Sequence, residues 1–293
     1  MKKPILVTGA NGFTGKFVCL ELIKRKIPFI AVLSPKGDPS WMKKNSIDYK
    51  NIDLNDIDQM QEILKRCSSL LNIASIGFGA APAIIQACEK SGIKRAIFVS
   101  TTSIYTKLNA PSKSIRLSAE RSIMKSKLNW TIIRPTMIYG TENDRNMIRL
   151  IKWIKHKKFI PIFGNGKSLQ QPIYVKDLSW SLVEILDNKS TYCKSFNLSG
   201  KEALTFLDII NTIEKYLNKK IFKLFLPAKF IVFILISLEK IGLDLPIKSE
   251  QVNRLNENKS FNYNEAKITF NYSPTSFKKG ILKEIRNYLK IKI

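Results

Sequence analysis

The chain is poor in the residues that build disulfide frameworks and metal centres. Its 293 residues include one histidine, His156, and four cysteines, Cys19, Cys67, Cys88 and Cys193, widely separated and never in a Cys-x-x-Cys pair. That spacing excludes a disulfide scaffold and the common zinc sites, and it predicts reduced core thiols in a reducing compartment with no metal bound. No stretch reaches the ~20 apolar residues that a membrane-spanning helix needs. The longest apolar run, from Phe230 to Ile236 and extended by Leu238, reads as a buried or interfacial helix. Met1-Lys2-Lys3 leads straight into a strand pattern with no cleavage site like that of a signal peptide, which predicts a cytoplasmic protein.

Acidic residues are also scarce. Asp and Glu number 23 against 49 Lys and Arg, a net charge of +26. Lysine, isoleucine and asparagine are all abundant, so the excess has two readings: a compositional bias, or an anionic ligand or membrane surface as partner. No recognised nucleic-acid-binding motif accompanies the charge, so nucleic acid is not expected as a partner. Hydrophobic residues make up 44% of the chain, enough for a sizeable core.

What the sequence does contain is an alternation of short apolar runs and amphipathic stretches. Strands are predicted at residues 4–8, 28–33, 49–54, 69–74, 95–101 and 130–134. Helices are predicted at 13–26, 57–67 and 80–91, the last stopped by Gly92. Strands alternating with helices imply a parallel sheet covered on both faces. The expected class is therefore α/β: a Rossmann-type, doubly wound parallel sheet with a smaller C-terminal substrate domain. The division is placed at residues 1–175 and 176–293, with a strand at 194–198 returning to the first part. Beyond Pro135, helices are predicted at 144–158, 176–187, 204–218 and 228–240.

Between the first strand and the first helix lies Gly9-Ala10-Asn11-Gly12-Phe13-Thr14-Gly15. In such a loop the first glycine makes a tight turn, the second admits a pyrophosphate to the backbone, and the third lets helix and strand pack closely. The diphosphate then sits at a helix N-terminus, where free N–H groups and the helix dipole favour an anion. A carboxylate near the end of the second strand would select NAD through the ribose hydroxyls. Here the segment is Leu33-Ser34-Pro35-Lys36-Gly37, with no acid before Asp38. Ser34 and Lys36 suit a 2′-phosphate, so NADP is the expected cofactor and NAD the alternative.

At this point several ordered motifs resemble the extended short-chain dehydrogenase/reductases, and specifically the NAD-dependent epimerase/dehydratase group. They are Thr8-Gly9-x-x-Gly12-x-x-Gly15, Asp53-Leu54, Ile73-Ala74-Ser75, the run from Phe98 to Tyr105, and the run from Arg134 to Gly140. Gly164-Asn165-Gly166-Lys167, Tyr174-Val175-Lys176-Asp177, the run from Phe196 to Gly200, and Tyr272-Ser273-Pro274 continue the series across nearly the whole chain. The resemblance implies a cofactor held by Gly9, Asn11, Gly12, Phe13, Thr14 and Gly15. Asp53 and Leu54 would lie at the adenine, Ala74 and Ser75 beneath the cofactor, and Pro135 and Met137 beside the nicotinamide. It also implies an anionic diphosphate sugar as substrate.

The same resemblance implies a catalytic Ser/Thr, Tyr and Lys. Thr101 stands at the Ser/Thr position. Counting back from Glu120 places Arg116 where the family has its Lys and Ser112 where it has its Tyr. Lys113 is a second basic residue on the same helical face. Arg116 can donate to a ribose but titrates too high for a general acid. Dehydratases of the group carry Asp-Glu directly after the catalytic Thr, whereas Thr102-Ser103 stand here, which disfavours dehydration. Two functional classes follow. One is an NAD(P)-dependent oxidoreductase or epimerase acting on a nucleotide- or lipid-linked sugar. The other is a cofactor-binding protein without turnover, like the accessory subunit of respiratory complex I and related assembly factors.

Two further stretches are distinctive. Residues 145–158 contain no acid and combine an apolar stripe (Met147, Ile148, Leu150, Ile151 and Ile154) with Arg145, Arg149, Lys152 and Lys155. Residues 228–238 are apolar on almost every face, and burial in the substrate domain's own core is the default expectation. The pair also predicts peripheral contact with an anionic membrane.

Overall fold

The computed structural model describes residues 3–108, 111–243 and 248–290. Strands β1 (Ile5–Thr8), β2 (Phe29–Leu33), β3 (Tyr49–Asn51), β4 (Ser69–Asn72), β5 (Arg95–Val99) and β6 (Asn129–Pro135) alternate with helices α1 (Phe13–Lys24), α2 (Ser40–Lys44), α3 (Ile57–Leu64), α4 (Ala81–Ser91) and α5 (Pro111–Lys125). The chain continues through β7 (Ile138–Tyr139), α6 (Met147–His156), β8 (Phe159–Phe163), β9 (Leu169–Gln170), β10 (Ile173–Tyr174), α7 (Val175–Glu184) and β11 (Lys194–Leu198). It ends in β12 (Leu204–Thr205), α8 (Phe206–Leu217), β13 (Phe222–Leu226), α9 (Ala228–Lys240), α10 (Ser249–Asn256), α11 (Asn264–Phe270) and α12 (Phe277–Leu289).

Seven strands form one parallel sheet in the order β11-β6-β5-β4-β1-β2-β3. The order reverses at β1, which pairs with β2 on one side and β4 on the other. In open α/β sheets such a reversal leaves a crevice at the carboxyl ends of the strands, where ligands bind. Both sheet faces are covered. Val18, Cys19 and Leu22 of α1 pack on one face with Leu178 and Leu182 of α7 and Phe270 of α11. Met60 and Leu64 of α3, Ile84 and Cys88 of α4, and Ile123 of α5 pack on the other. A third cluster joins Tyr139, Ile148, Ile151 and Ile162 to Ile209, Ile213 and Ile281.

Local chemistry sets the element ends. The Asp56 carboxylate accepts from the Gln59 N–H at 2.9 Å and caps α3. Gly92, in the left-handed region at φ +80°, ends α4 where the sequence places the stop. Asp144 Oδ1 accepts from the N–H groups of Asn146 and Ile148, so α6 begins at Met147 instead of 144. The third strand stops at Asn51, three residues early, because Asp53 Oδ1 accepts from the Asn55 N–H and turns the chain. The parallel pair β8 and β13 was not foreseen, since Pro161 lies within β8 and edge strands alone tolerate a missing donor.

Three expectations need correction. Cys19, Cys67 and Cys88 are buried thiols, but Cys193 is exposed, on a residue with φ +53°. The apolar stripe of α6 faces inward: Met147, Ile148, Ile151 and Ile154 are all buried. Helix α9 does the opposite of the default, with no buried residue at all.

Candidate functional site

Every residue that the resemblance implicates in the cofactor site lies in, or next to, a segment at the carboxyl edge of the sheet. The glycine loop follows β1, Ser34 and Lys36 follow β2, and Asp53 and Leu54 follow β3. Ala74 and Ser75 follow β4, Thr101 follows β5, and Pro135 and Met137 close β6. Parallel strands place all these loops on one edge by topology alone.

The glycine loop is built tightly. Gly9 adopts φ +66°, and a Cβ there would come within 2.6 Å of the Ala74 backbone nitrogen. Gly15 is equally constrained, because a Cβ would strike the Gly9 carbonyl. Gly12 is less constrained: a Cβ there would meet only the Gly9 carbonyl oxygen, at 3.2 Å, a tight contact that a small shift relieves. The Gly12 N–H donates to the Gly9 carbonyl at 3.0 Å and sets the turn. Helix α1 then starts without a side-chain cap and without an acid in its first turn. The N–H groups of Phe13, Thr14 and Gly15 have no partner among the described residues. Uncapped donors at the positive end of a helix dipole form an anion cradle.

The surrounding loops are tied to this cradle. Thr8 Oγ1 donates to Asn72 Oδ1 at 2.6 Å, and Asn72 Nδ2 donates to the Ala74 carbonyl at 3.0 Å. Asn11 Nδ2 donates to the Asp38 carbonyl at 2.8 Å, while its Oδ1 is buried without a partner among the described residues. An orphaned buried acceptor beside an open cradle fits a polar ligand that the loop was shaped to receive. The turn Ser34–Gly37 is pinned by Asn51 Nδ2, which donates to the carbonyls of both residues. Ser34 and Lys36 stand exposed at its tip. The Asp38 carboxylate is engaged by the Ser40 hydroxyl and N–H, which hold it below its usual range.

Thr101 Oγ1 accepts from the Ser103 N–H at 3.1 Å and keeps its own proton to give. Thr102 is buried, and its hydroxyl turns to the Pro135 carbonyl. Lys113 Nζ donates to the Thr106 carbonyl at 2.5 Å. Arg116 Nη1 donates to Ser112 Oγ at 2.7 Å, and its guanidinium lies against Gly77. Burial, and then the positive charge of Arg254, push the Arg116 guanidinium below its usual range. Arg254 is itself ion-paired with Glu250 at 3.5 Å.

Sequence reasoning missed the polar network behind Thr101. Glu120, 2% exposed, accepts from Ser100 Oγ at 2.5 Å and from Arg134 Nη2 at 2.6 Å. Burial disfavours the charge of Arg134, but Glu120 outweighs it and raises the guanidinium's pKa. Arg134 Nη1 in turn donates to the Tyr105 hydroxyl, which donates to Asn197 Oδ1 at 3.2 Å. Tyr105 is half exposed beside Phe261, whereas Tyr139 is fully buried against Gly280. Glu257 accepts from Thr106 Oγ1 and the Lys107 N–H, clasping the loop after Tyr105. No local pattern in the sequence announces contacts spanning 150 residues. An open cleft of about 670 Å³ touches the cradle from outside, lined by Asn11, Phe13, Lys16, Trp41 and Asn287.

The fold and the cradle define a Rossmann-type dinucleotide-binding protein. The NAD(P)H-binding family profile matches residues 9–159, just over half of the 293, and the chain belongs to that family. It is 26% identical over 220 residues to the mitochondrial NADH dehydrogenase [ubiquinone] 1 alpha subcomplex subunit 9 of Arabidopsis thaliana, covering 68% of this chain and 54% of that one. It is 24% identical over 264 residues to the uncharacterized UDP-glucose epimerase YtcB of Bacillus subtilis, covering 74% and 83%. It is 28% identical over 163 residues to the N-acetyl-alpha-D-glucosaminyl-diphospho-ditrans,octacis-undecaprenol 4-epimerase of Escherichia coli O157:H7, covering 49% of each. The chain thus spans about half the length of the first and third relatives and most of the second. The structure of UDP-glucuronic acid 4-epimerase from Bacillus cereus, in complex with UDP-glucuronic acid and NAD, superposes with a TM-score of 0.77 over 100% of both chains at 21% identity. At that identity the likeness is one of fold.

Proposed function

We propose that the protein is an NAD(P)-dependent oxidoreductase or epimerase acting on a nucleotide- or lipid-linked sugar. The observation that carries the reading is the uncapped cradle at α1, with the half-buried Arg116 beside Gly77 as a second anion contact. The cradle suits the pyrophosphate of a dinucleotide. The Arg116 guanidinium suits an anionic group of the cofactor or the substrate. The family relationship and the epimerase names among the relatives support the same reading. A two-part organisation belongs to it, with a dinucleotide-binding portion and a smaller substrate portion to which α10 contributes Arg254.

A bound nicotinamide supplies a reversible hydride acceptor. In this reading Thr101 donates a hydrogen bond to the reacting sugar oxygen, and Arg116 holds the ribose from its place beside Gly77. Lys113, held by the Thr106 carbonyl, is the weaker candidate for that role. Tyr105 replaces the tyrosine for which the resemblance offers only Ser112, since Tyr139 is buried. Ser34 and Lys36 meet a 2′-phosphate, so NADP is preferred over NAD. Thr101→Val should lower turnover of a UDP-sugar by about tenfold or more with cofactor affinity nearly unchanged, because a single hydrogen bond in the reacting state is removed. Normal turnover by that variant would overturn its assignment.

One observation favours a second reading, a cofactor-binding protein without turnover. Ser112 and Arg116 stand where the resemblance places Tyr and Lys, and the Arabidopsis relative is named as a subunit of a larger complex. Dinucleotide binding without conversion of UDP-glucose, UDP-glucuronate, UDP-N-acetylglucosamine or a polyprenyl-diphosphate sugar would select it.

A further inference from the structure

Helix α9 and the strand before it expose an apolar surface. None of the 13 residues of α9 is buried, although most of them are apolar. Phe230 is 61% exposed, Phe233 70%, Ile236 40% and, just beyond the helix, Ile241 71%. These fall along one broad side at helical spacing, while the opposite side rests on α10. Strand β13 adds exposed Phe222 and Leu224 on one face, and Phe159 of β8, the cross-strand partner of Phe222, is exposed beside it.

The charges around this surface are mostly positive. Exposed Lys229 and Lys240 stand at the two ends of α9, on the same side as Phe233 and Ile236. Exposed Lys157, Lys158 and Lys220 lead into the Phe159–Phe222 pair. Glu239 is the single acid of the helix, and its carboxylate is taken by the Ser249 N–H and hydroxyl. A contact with a second copy across a two-fold axis would bring like charges together in a chain of net charge +26. An anionic surface with an apolar interior matches both features.

We infer that this face docks on an anionic lipid bilayer, with α9 lying in the interface plane, its phenylalanines inserted and its lysines at the headgroups. No described helix is long and apolar enough to cross a membrane, so the contact is peripheral. Helix α6 cannot supply the apolar part, because its stripe is buried. The inference rests on the surface alone and is independent of the substrate reading.

The test is co-sedimentation of the full chain with vesicles of phosphatidylcholine alone and of phosphatidylcholine with phosphatidylglycerol, at low and high salt. At low salt the protein should partition at least about tenfold more onto the anionic vesicles, and high salt should weaken that. Phe230→Glu and Phe233→Glu should each reduce binding about tenfold with an unchanged melting temperature, as neither side chain is buried. Absence from the anionic pellet at low salt would overturn the inference. Binding that Phe233→Glu leaves intact would also overturn it, by reducing the effect to net charge. Self-association abolished by Phe233→Glu, without vesicle binding, would make the face a contact between copies and overturn it equally.

Discussion

Glu284 shows how one buried side chain can govern the stability of the molecule. Its carboxyl is 0% exposed and faces the Asp144 carboxyl, whose Oδ2 is likewise buried, so the two share a proton. Burial, and then the neighbouring Asp144 carboxyl, push its pKa up to about 10. In the unfolded chain a glutamate titrates near ~4.3. The folded state therefore binds the extra proton between those values. Its contribution is fully present below about pH 4 and is lost as pH rises toward about 10. We expect Glu284→Gln to flatten the fall in melting temperature between about pH 5 and pH 9 and to raise the melting temperature at pH 8. Thermal melts across that range check it, and parallel curves for the two proteins would refute it. Nothing in the sequence marks Glu284, because its burial depends on α12 packing against β10. Gly9 and Gly15 were legible for the converse reason: their roles are local and repeat a known spacing. Arg134 was legible as part of a motif, but its bond to Glu120 appears only when β6 and α5 are brought together.

At the scale of elements, α6 and α9 are a natural comparison. Both are rich in isoleucine, and their sequences differ mainly in where the charges fall. In α6 the cations alternate with a stripe at helical spacing, and the stripe enters the core shared with α8 and α12. In α9 apolar residues cover every side, so no single face is specified, and the fold uses one side against α10 and leaves the other open. Periodicity gave both helices correctly, and the bounds of α9 match the sequence expectation at 228–240. It could not tell which of them would be buried, because that depends on neighbours far along the chain. Ile151→Ala should cost about 2–5 kcal/mol by leaving a cavity. Phe233→Ala should cost well under 1 kcal/mol, since that ring is already in solvent. Denaturant unfolding of the two variants separates them. A large loss for Phe233→Ala would mean that α9 is packed more tightly than its exposure indicates.

For the whole molecule, the strand order places one residue set from six different loops at a single edge of the sheet. That convergence was foreseeable from alternating strands and helices, because right-handed crossovers leave few other arrangements. The clasp of Glu257 on the loop after Tyr105 was not, since it joins residues that only the finished fold brings together. If the α1 cradle holds a nicotinamide dinucleotide, titration calorimetry with NADH and NADPH will detect it. Gly12→Val is the matching variant. Its side chain would project over the uncapped N–H groups, and its Cβ would meet the Gly9 carbonyl oxygen at 3.2 Å, a contact that a small backbone shift relieves, so binding should vanish while the fold is kept. The unaltered chain should show saturable binding of at least one dinucleotide, tighter for NADPH, and Gly12→Val none. Absence of binding by the unaltered chain to both dinucleotides, or undiminished binding by Gly12→Val, would contradict it.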